Sequence, residues 1–411
     1  MDNLKIDGAR LWDSLMEMAK IGATPKGGVC RLTLTDLDRQ SRDLFAQWAR
    51  AAGCTLKVDA VGNMIVRRPG RDAKRRAVMT GSHLDSQPTG GKFDGAYGVL
   101  AGLEVLRTLN DHAIETAAPV EVVVWTNEEG SRFAPAMMGS GTYAGIFPLE
   151  ETLERKDQEG TTFGRALDAI GYRGEGLADE LPAAYFEAHI EQGPILEAEH
   201  KTIGVVTGAQ GQRWYEITFT GQEAHAGPTP MGRRRDALVG AAKAVTLVNE
   251  IGLAFQPGAC ATVGMLQVHP ASRNVIPGRV WMTVDFRHPD DARLLEMDGR
   301  LRQGLAEIAQ AGGLELAIEQ IWLSPATPFA KPLVDAVRRG AERAGFSHRD
   351  IVSGAGHDAV YLARVAPTAM IFVPCEDGIS HNEIENATPQ DLAAGCTVLL
   401  HAILEQAGIA S

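Results

Sequence analysis

Apolar residues recur every three to four positions over Leu11–Ile21 and over Leu37–Ala52, the spacing of a helix with one buried face. The pattern then changes. The stretch LKVDAVGNMIVRR alternates about Gly62-Asn63 and predicts a hairpin. Apolar runs at Ala77–Thr80 and Val120–Thr126 flank a helical stretch from about Gly98 to Leu109. Continuous apolar strands separated by a helix suit parallel strands covered on both faces, so this part of the chain reads as α/β.

From about Arg213 the texture shifts again. A strand in WYEITFTG precedes an alanine-rich helix over Arg235–Glu250, strands in CATVGMLQV and GRVWMTVDFR, a helix over Ala292–Ala311 and a strand in LELAIEQIW. That order is β-α-β-β-α-β, the signature of a ferredoxin-like module. A helix over Leu333–Ala344, a strand over Ala369–Val373 and a helix over Pro389–Leu404 resume the first pattern. The predicted organisation is one discontinuous domain, 1–212 and 327–411, with a second, 213–326, inserted in it. The length agrees, since 411 residues exceed the ~100–150 of an ordinary single core.

Composition narrows the function classes. The hydrophobic fraction of 45% and charged fraction of 22% are those of a globular protein. A net charge of −12, with only the short basic runs Arg71–Arg76 and Arg233–Arg235, argues against a nucleic-acid partner. The N-terminal stretch carries acids from Asp2 and lacks the basic and apolar regions of a signal peptide, and no apolar run approaches the ~20 residues of a membrane span. The expectation is a cytoplasmic protein without a membrane partner. Cys30, Cys54, Cys260, Cys375 and Cys396 are scattered and form no CxxC pair, which predicts reduced, buried thiols. Any metal here must be held by histidines and carboxylates.

Four stretches carry such groups. In VMTGSHLDSQPTGGKFDG, His83 and Asp85 follow an apolar strand, and Asp94 lies beyond them in a glycine-rich loop. In VEVVVWTNEEG, a strand runs into Glu128 and Glu129, adjacent acids that repel unless a proton or cation lies between them. YFEAHIEQGP brings His189, Glu191 and Gln192 to another strand end, and GISHNEIENATP places His381 in a loop before a helix. Each alone has an ordinary reading as a capped loop, a solvated turn or a structural histidine. Together they sit at strand exits of one sheet, where open α/β sheets bind ligands.

GSHLDSQPTGGKFDG, TNEEGSRF, HIEQGP, GQEAHAGPTPM, RNVIPG and SGAGHDA, in this order over nearly the whole chain, resemble the amidase/hydantoinase/carbamoylase branch of the co-catalytic zinc aminopeptidase and carboxypeptidase superfamily. The resemblance implies a phosphorylase/aminopeptidase-like metal-binding domain with an inserted ferredoxin-like (α+β) dimerisation and lid domain. It implies two divalent ions per subunit, bridged by Asp94, one held by His83 and His189 and the other by Glu129 and His381. Asp85 resembles the carboxylate that orients the ligand imidazole. Zn²⁺ is expected first, with Mn²⁺, Co²⁺ or Ni²⁺ as alternatives. Glu128 matches the general base and His225 the group that polarises the scissile carbonyl. Gln192, Asn274, Arg287 and His357 match substrate-binding positions, Asn274 and Arg287 receiving a carboxylate. The implied activity is hydrolysis of the carbamoyl C–N bond of an N-carbamoyl-L-amino acid to amino acid, CO₂ and ammonia. β-Ureidopropionase and allantoate amidohydrolase are alternatives, followed by an N-acyl amino acid deacylase or dipeptidase. The implied partner is a second copy, a homodimer joined through 213–326, with the subunit that His225, Asn274 and Arg287 serve left open.

Overall fold

A computed structural model describes residues 4–177 and 180–410; Met1, Asp2 and Asn3, where the N-terminal stretch discussed above begins, lie outside the described residues. The chain forms two compact units, Met1–Thr207 with Pro328–Ser411, and Gly208–Thr327.

In the first unit β1 (Thr55–Val58) and β2 (Met64–Arg68) form the antiparallel hairpin. Its loop is organised by Asp59, whose carboxylate accepts the N–H groups of Val61 and Asn63 and the Asn63 side-chain amide at 2.8–3.0 Å. Strands β3 (Val78–His83), β4 (Val120–Trp125), β5 (Ala184–Ile190) and β6 (Ile203–Ala209) follow.

The chain then enters the second unit through β7 (Gly211–Thr220) and the short β8 (Ala224–His225). Helix Ala237–Ala254 leads to β9 (Cys260–Thr262), β10 (Leu266–His269), β11 (Val275–Ile276) and β12 (Arg279–His288), and helix Asp291–Gly312 leads to β13 (Glu315–Ser324). Back in the first unit are β14 (Thr327–Pro328), β15 (His348–Ser353) and β16 (Thr368–Val373).

The first sheet runs β1-β2-β4-β3-β5-β16-β6-β14, with β15 beside β6. Its centre is parallel: β3 pairs with β4 and β5, and β5 with β16. Every residue of β3, β5 and β16 is buried, the physical reason their sequences read as unbroken apolar runs. Helices Ala96–Asp111 and Pro389–Ala407 lie against these strands and against each other. Parallel pairing brings the carboxyl ends of β3, β4 and β5 to one edge, and the loops leaving that edge carry the acids and histidines.

The second sheet runs β10-β12-β7-β13, with β9 also on β12, all antiparallel. Along β12 burial alternates residue by residue, the two-residue period of a sheet covered on one face. Tyr215, Ile217, Phe219, Val280, Met282 and Phe286 meet the two helices in a core separate from that of the first unit. Asp236 caps helix Ala237–Ala254 by accepting the N–H groups of Leu238 and Val239. That helix has 18 residues of mean hydropathy 1.4, long and apolar enough to cross a membrane, although no run of that kind stood out in the sequence.

One expectation about side-chain environment needs correction. Cys54, Cys375 and Cys396 are buried, but Cys260 is exposed on β9 and Cys30 half-exposed; all five are free. Arg234, within the basic run Arg233–Arg235, is half-buried, and its guanidinium donates to the Thr229 and Ala226 carbonyls at 2.7–3.1 Å.

Candidate metal centre

His83 is the last residue of β3, and His189 the next to last of β5. Glu128 and Glu129 follow β4 after a short turn in which Asn127 has φ 59°. Gln192 (φ 56°) and His381 (φ 54°) also sit in the left-handed region. Such conformations cost of order 1–3 kcal/mol each and persist where surrounding contacts over-determine them, typically at functional sites.

These loops converge on Asp94. Its Oδ1 stands 3.5 Å from His83 Nε2 and 3.2 Å from His189 Nε2, and its Oδ2 stands 3.4 Å from His381 Nε2. His381 Nε2 lies as close, 3.4 Å, to Glu129 Oε2, and Glu128 Oε2 lies 3.4 Å from His83 Nε2. Two donor sets result, His83, Asp94 and His189, and Asp94, Glu129 and His381, sharing Asp94. Gly95 makes the crowding possible: a Cβ there would sit 2.4 Å from the His83 ring, and its φ of 63° disfavours any side chain.

Proton placement shows what the knot is built to hold. His83 turns Nδ1 to the Asp85 main-chain carbonyl at 2.9 Å, and His189 turns Nδ1 to the Ile190 carbonyl at 2.9 Å. A carbonyl only accepts, so each Nδ1 carries a proton and each ring turns its Nε2 to a carboxylate oxygen, where His189 Nε2 also accepts the Gly95 N–H at 3.2 Å. Lone pair against lone pair is stable only with a proton or a cation between them. In the metal-free chain protons take that place: burial opposes the His83 cation, but Glu128, Asp94 and Asp85 outweigh it and hold its pKa well above the usual histidine value. For Asp94 burial is likewise outweighed, by His189, His381 and His83, and its carboxyl falls well below the usual range. Burial and the nearby Asp94 push Glu129 up to about 7. Burial drives Glu128 well upward, with His83 opposing and Asp358 and Glu129 reinforcing. Imidazoles and carboxylates in this arrangement, without thiolates, fit divalent metal ions.

Asp85 holds the site differently from the expected role. Its carboxylate is 3.8 Å from the His83 ring and accepts the N–H groups of Glu128 and Glu129 at 3.3 Å, so it ties the β3 loop to the β4 loop while its carbonyl orients the imidazole. His357 also differs. It is 2% exposed, its ring lies 4.6 Å from that of His189, and its Nε2 meets Ser353 Oγ at 3.1 Å, which sets it behind a donor ring rather than on an open surface. Gln192 lies inside the knot, its amide donating to Asp94 Oδ2 at 2.9 Å and Ser380 Oγ at 3.0 Å.

The other three candidates lie in the second unit. His225 on β8 pairs with Val275 on β11, and Ala226 N–H donates to the Asn274 carbonyl at 2.9 Å, so His225 and Asn274 are neighbours. Arg287 is not among them. The β7–β12 ladder passes into the β8–β11 pairing beyond Arg279, and positions 279 to 287 of β12 at about 3.4 Å per residue separate Arg287 from that end by ~27 Å. Its guanidinium is held by Asp285 at 2.9 Å.

Residues not singled out from the sequence complete the centre. Gln87 donates its main-chain N–H and its side-chain amide to the two oxygens of Glu129 at 2.9 and 2.7 Å. Glu187, two residues before His189 on the same face of β5, accepts from Ser82 Oγ at 2.8 Å and from Ala359 N–H at 3.0 Å. An acid within the all-buried AYFEAHI strand was a signal available in the sequence, because a buried carboxylate must be satisfied.

Residues 79–405 match peptidase family M20/M25/M40. An N-carbamoyl-L-amino-acid amidohydrolase of Rhizobium meliloti is 50% identical over 99% of this chain and 98% of its own. A ureidoglycolate hydrolase of Arabidopsis thaliana is 32% identical over 97% of this chain and 86% of its own. The crystal structure of a hydantoinase/carbamoylase family amidase from Burkholderia multivorans superposes with a TM-score of 0.94 at 67% identity, covering 98% of each chain.

Proposed function

The chain belongs to peptidase family M20/M25/M40, in its hydantoinase/carbamoylase branch, and from that premise we propose how its own residues divide the work. It is an amidohydrolase that cleaves the carbamoyl C–N bond of an N-carbamoyl-L-amino acid to give the amino acid, CO₂ and ammonia. The observation that carries the metal reading is the pair of imidazole Nε2 atoms turned to one oxygen of Asp94. His83 and His189 would hold one divalent ion, Glu129 and His381 another, with Asp94 between them; Zn²⁺ fits first, then Mn²⁺, Co²⁺ or Ni²⁺. Bound there, the ions supply Lewis acidity and lower the pKa of water toward neutrality.

The remaining tasks fall to side chains. Glu128, buried and raised in pKa, accepts the proton of the attacking water and delivers it to the leaving nitrogen. His225 donates a hydrogen bond to the carbonyl oxygen as negative charge develops there. Arg287, oriented by Asp285, and Asn274 receive the substrate carboxylate, and Gln192 contacts substrate from the metal side.

The second unit is the ferredoxin-like dimerisation and lid module of a homodimer. An N-carbamoyl amino acid spans less than about 10 Å, far short of the ~27 Å between Arg287 and the His225–Asn274 end of one module. That span supports a reading in which one substrate meets Arg287 of one copy and His225 and Asn274 of another. Val239 (50% exposed) and Leu253 (66%) on helix Ala237–Ala254 and Leu266 (41%) on edge strand β10 are exposed apolar residues that such a pairing could cover. The free thiols fit a reducing, cytoplasmic setting.

The test is a screen of chelator-treated enzyme, reloaded with Zn²⁺, Mn²⁺, Co²⁺ or Ni²⁺, on N-carbamoyl-L-amino acids, β-ureidopropionate, allantoate and an N-acetyl amino acid. Turnover is expected on N-carbamoyl-L-amino acids only after reloading. Preference for the acetyl substrate would favour a deacylase, and full activity in protein free of metal by elemental analysis would remove the metal reading.

A further inference from the structure

Glu385, four residues beyond His381 in GISHNEIEN, is buried (2% exposed), and its carboxylate meets two main-chain N–H groups and a hydroxyl. Its Oε1 accepts the N–H groups of Phe93 (2.9 Å) and Asp94 (3.1 Å), and its Oε2 faces Ser380 Oγ at 3.1 Å. Ser380 Oγ in turn stands 3.1 Å from Asp94 Oδ2 and accepts from Gln192 at 3.0 Å. The carboxylate thus joins two loops far apart in sequence, the glycine-rich loop that bears Asp94 and the 380–385 turn that bears His381. Gly91 leaves room for it: a Cβ at position 91 would lie 2.1 Å from the Glu385 carboxylate.

We propose that Glu385 is a positioning residue of the metal centre, a clamp that sets the distance between Asp94 and His381 so that the Asp94–Glu129–His381 donor set closes around a divalent ion. This rests on the metal reading above. The physical reason is a chain of anchored atoms. Two N–H bonds from one turn fix Asp94 from its backbone, the Ser380 hydroxyl fixes its Oδ2, and Ser380 immediately precedes His381. Partners of this kind behind metal ligands typically change metal affinity ~10–100-fold when removed.

The experiment titrates full-length, chelator-stripped protein with Mn²⁺ by calorimetry, following free Mn²⁺ by electron paramagnetic resonance. Wild type is compared with Glu385→Ala, Glu385→Gln, Ser380→Ala and Gly91→Ala. Glu385→Ala is expected to weaken the looser Mn²⁺ site tenfold or more, and Gly91→Ala to do the same by pushing the intact carboxylate away. Glu385→Gln is expected to stay within about threefold, because its carbonyl still accepts both N–H groups and its amide can donate to Ser380 Oγ, which then donates to Asp94. Saturating Mn²⁺ is expected to restore most of the turnover of the Ala variant. If Glu385→Ala proves unfolded by circular dichroism, Gly91→Ala and Ser380→Ala decide the matter. Folded variants that bind two Mn²⁺ as tightly as wild type overturn the clamp. Wild-type protein that binds no divalent ion overturns the metal reading itself, and the clamp with it.

Discussion

Glu128 and Glu129 are adjacent in sequence and share one support, the Asp85 carboxylate that accepts both their N–H groups. Their side chains diverge from there. Glu128 faces His83, while both oxygens of Glu129 are gripped by Gln87 and one faces His381. A group that moves protons must be free to gain and lose one, whereas a ligand must be held still, so the unclamped Glu128 suits the base and Glu129 the donor. Glu128→Gln is expected to retain two ions per chain by elemental analysis while kcat falls by about 10²–10⁴ or more. Glu129→Gln is expected to lose one ion on dialysis. The reverse pattern would exchange the two roles. The family resemblance implies distinct jobs for the two acids, and the contacts of Glu129 with Gln87 and His381, which the chain brings in from far away, supply a physical reason for them.

Among the elements, helices Asp36–Ala51 and Ala96–Asp111 and strands β3, β4 and β16 are legible in the sequence within a few residues, because an apolar period is a local property. Strands β6, β14 and β15 are not, since each is short or defined by a partner distant in the chain, as β6 is by β16. The glycine-rich loop before helix Ala96–Asp111 joins the two levels. Gly95→Ala would add a methyl 2.4 Å from the His83 ring at a backbone φ of 63° and ψ of −51°, costing of order 1–3 kcal/mol in backbone strain before the collision is counted. The expected outcome is a folded protein, melting a few degrees lower, that no longer retains metal at the His83 site. Undiminished metal content in this variant would show that the ring is not packed against residue 95.

For the whole molecule, the protons that stand in for cations make metal binding depend on pH. The metal-free fold holds His83 well above its usual pKa and Glu129 at about 7, so both keep protons that the unfolded chain would already have lost. A group raised in the fold contributes stability below its unfolded value and loses it as pH rises through the folded one. Metal-free protein should therefore melt at progressively lower temperature as pH rises from about 6 to 8.5. A metal must displace the same protons, so its binding strengthens over that window. The rise in Tm on adding Mn²⁺ is expected to be larger at pH 8.5 than at pH 6; an equal rise at both would mean that these groups do not bind it.

The proposed composite site gives a second test at this scale. His225→Ala and Glu128→Gln, each nearly inactive alone, should regain activity when unfolded and refolded together, up to about a quarter of the wild-type rate per chain if dimers mix statistically. No recovery with mixed dimers confirmed by native mass spectrometry would assign His225 to its own chain.

The order of elements, the α/β first part and the β-α-β-β-α-β insert follow from the sequence alone, because hydrophobic period is written locally, and the residues that gather around Asp94 are implied by the family resemblance of its motifs. The tertiary structure decided which imidazole nitrogen faces Asp94, that the Asp85 carboxylate accepts the Glu128 and Glu129 N–H groups, that His357 packs on the His189 ring, that Glu385 ties two loops, and that Arg287 lies at the opposite end of β12 from Arg279. Each of these depends on register and on contacts between segments tens to hundreds of residues apart, and a local pattern carries no information about either.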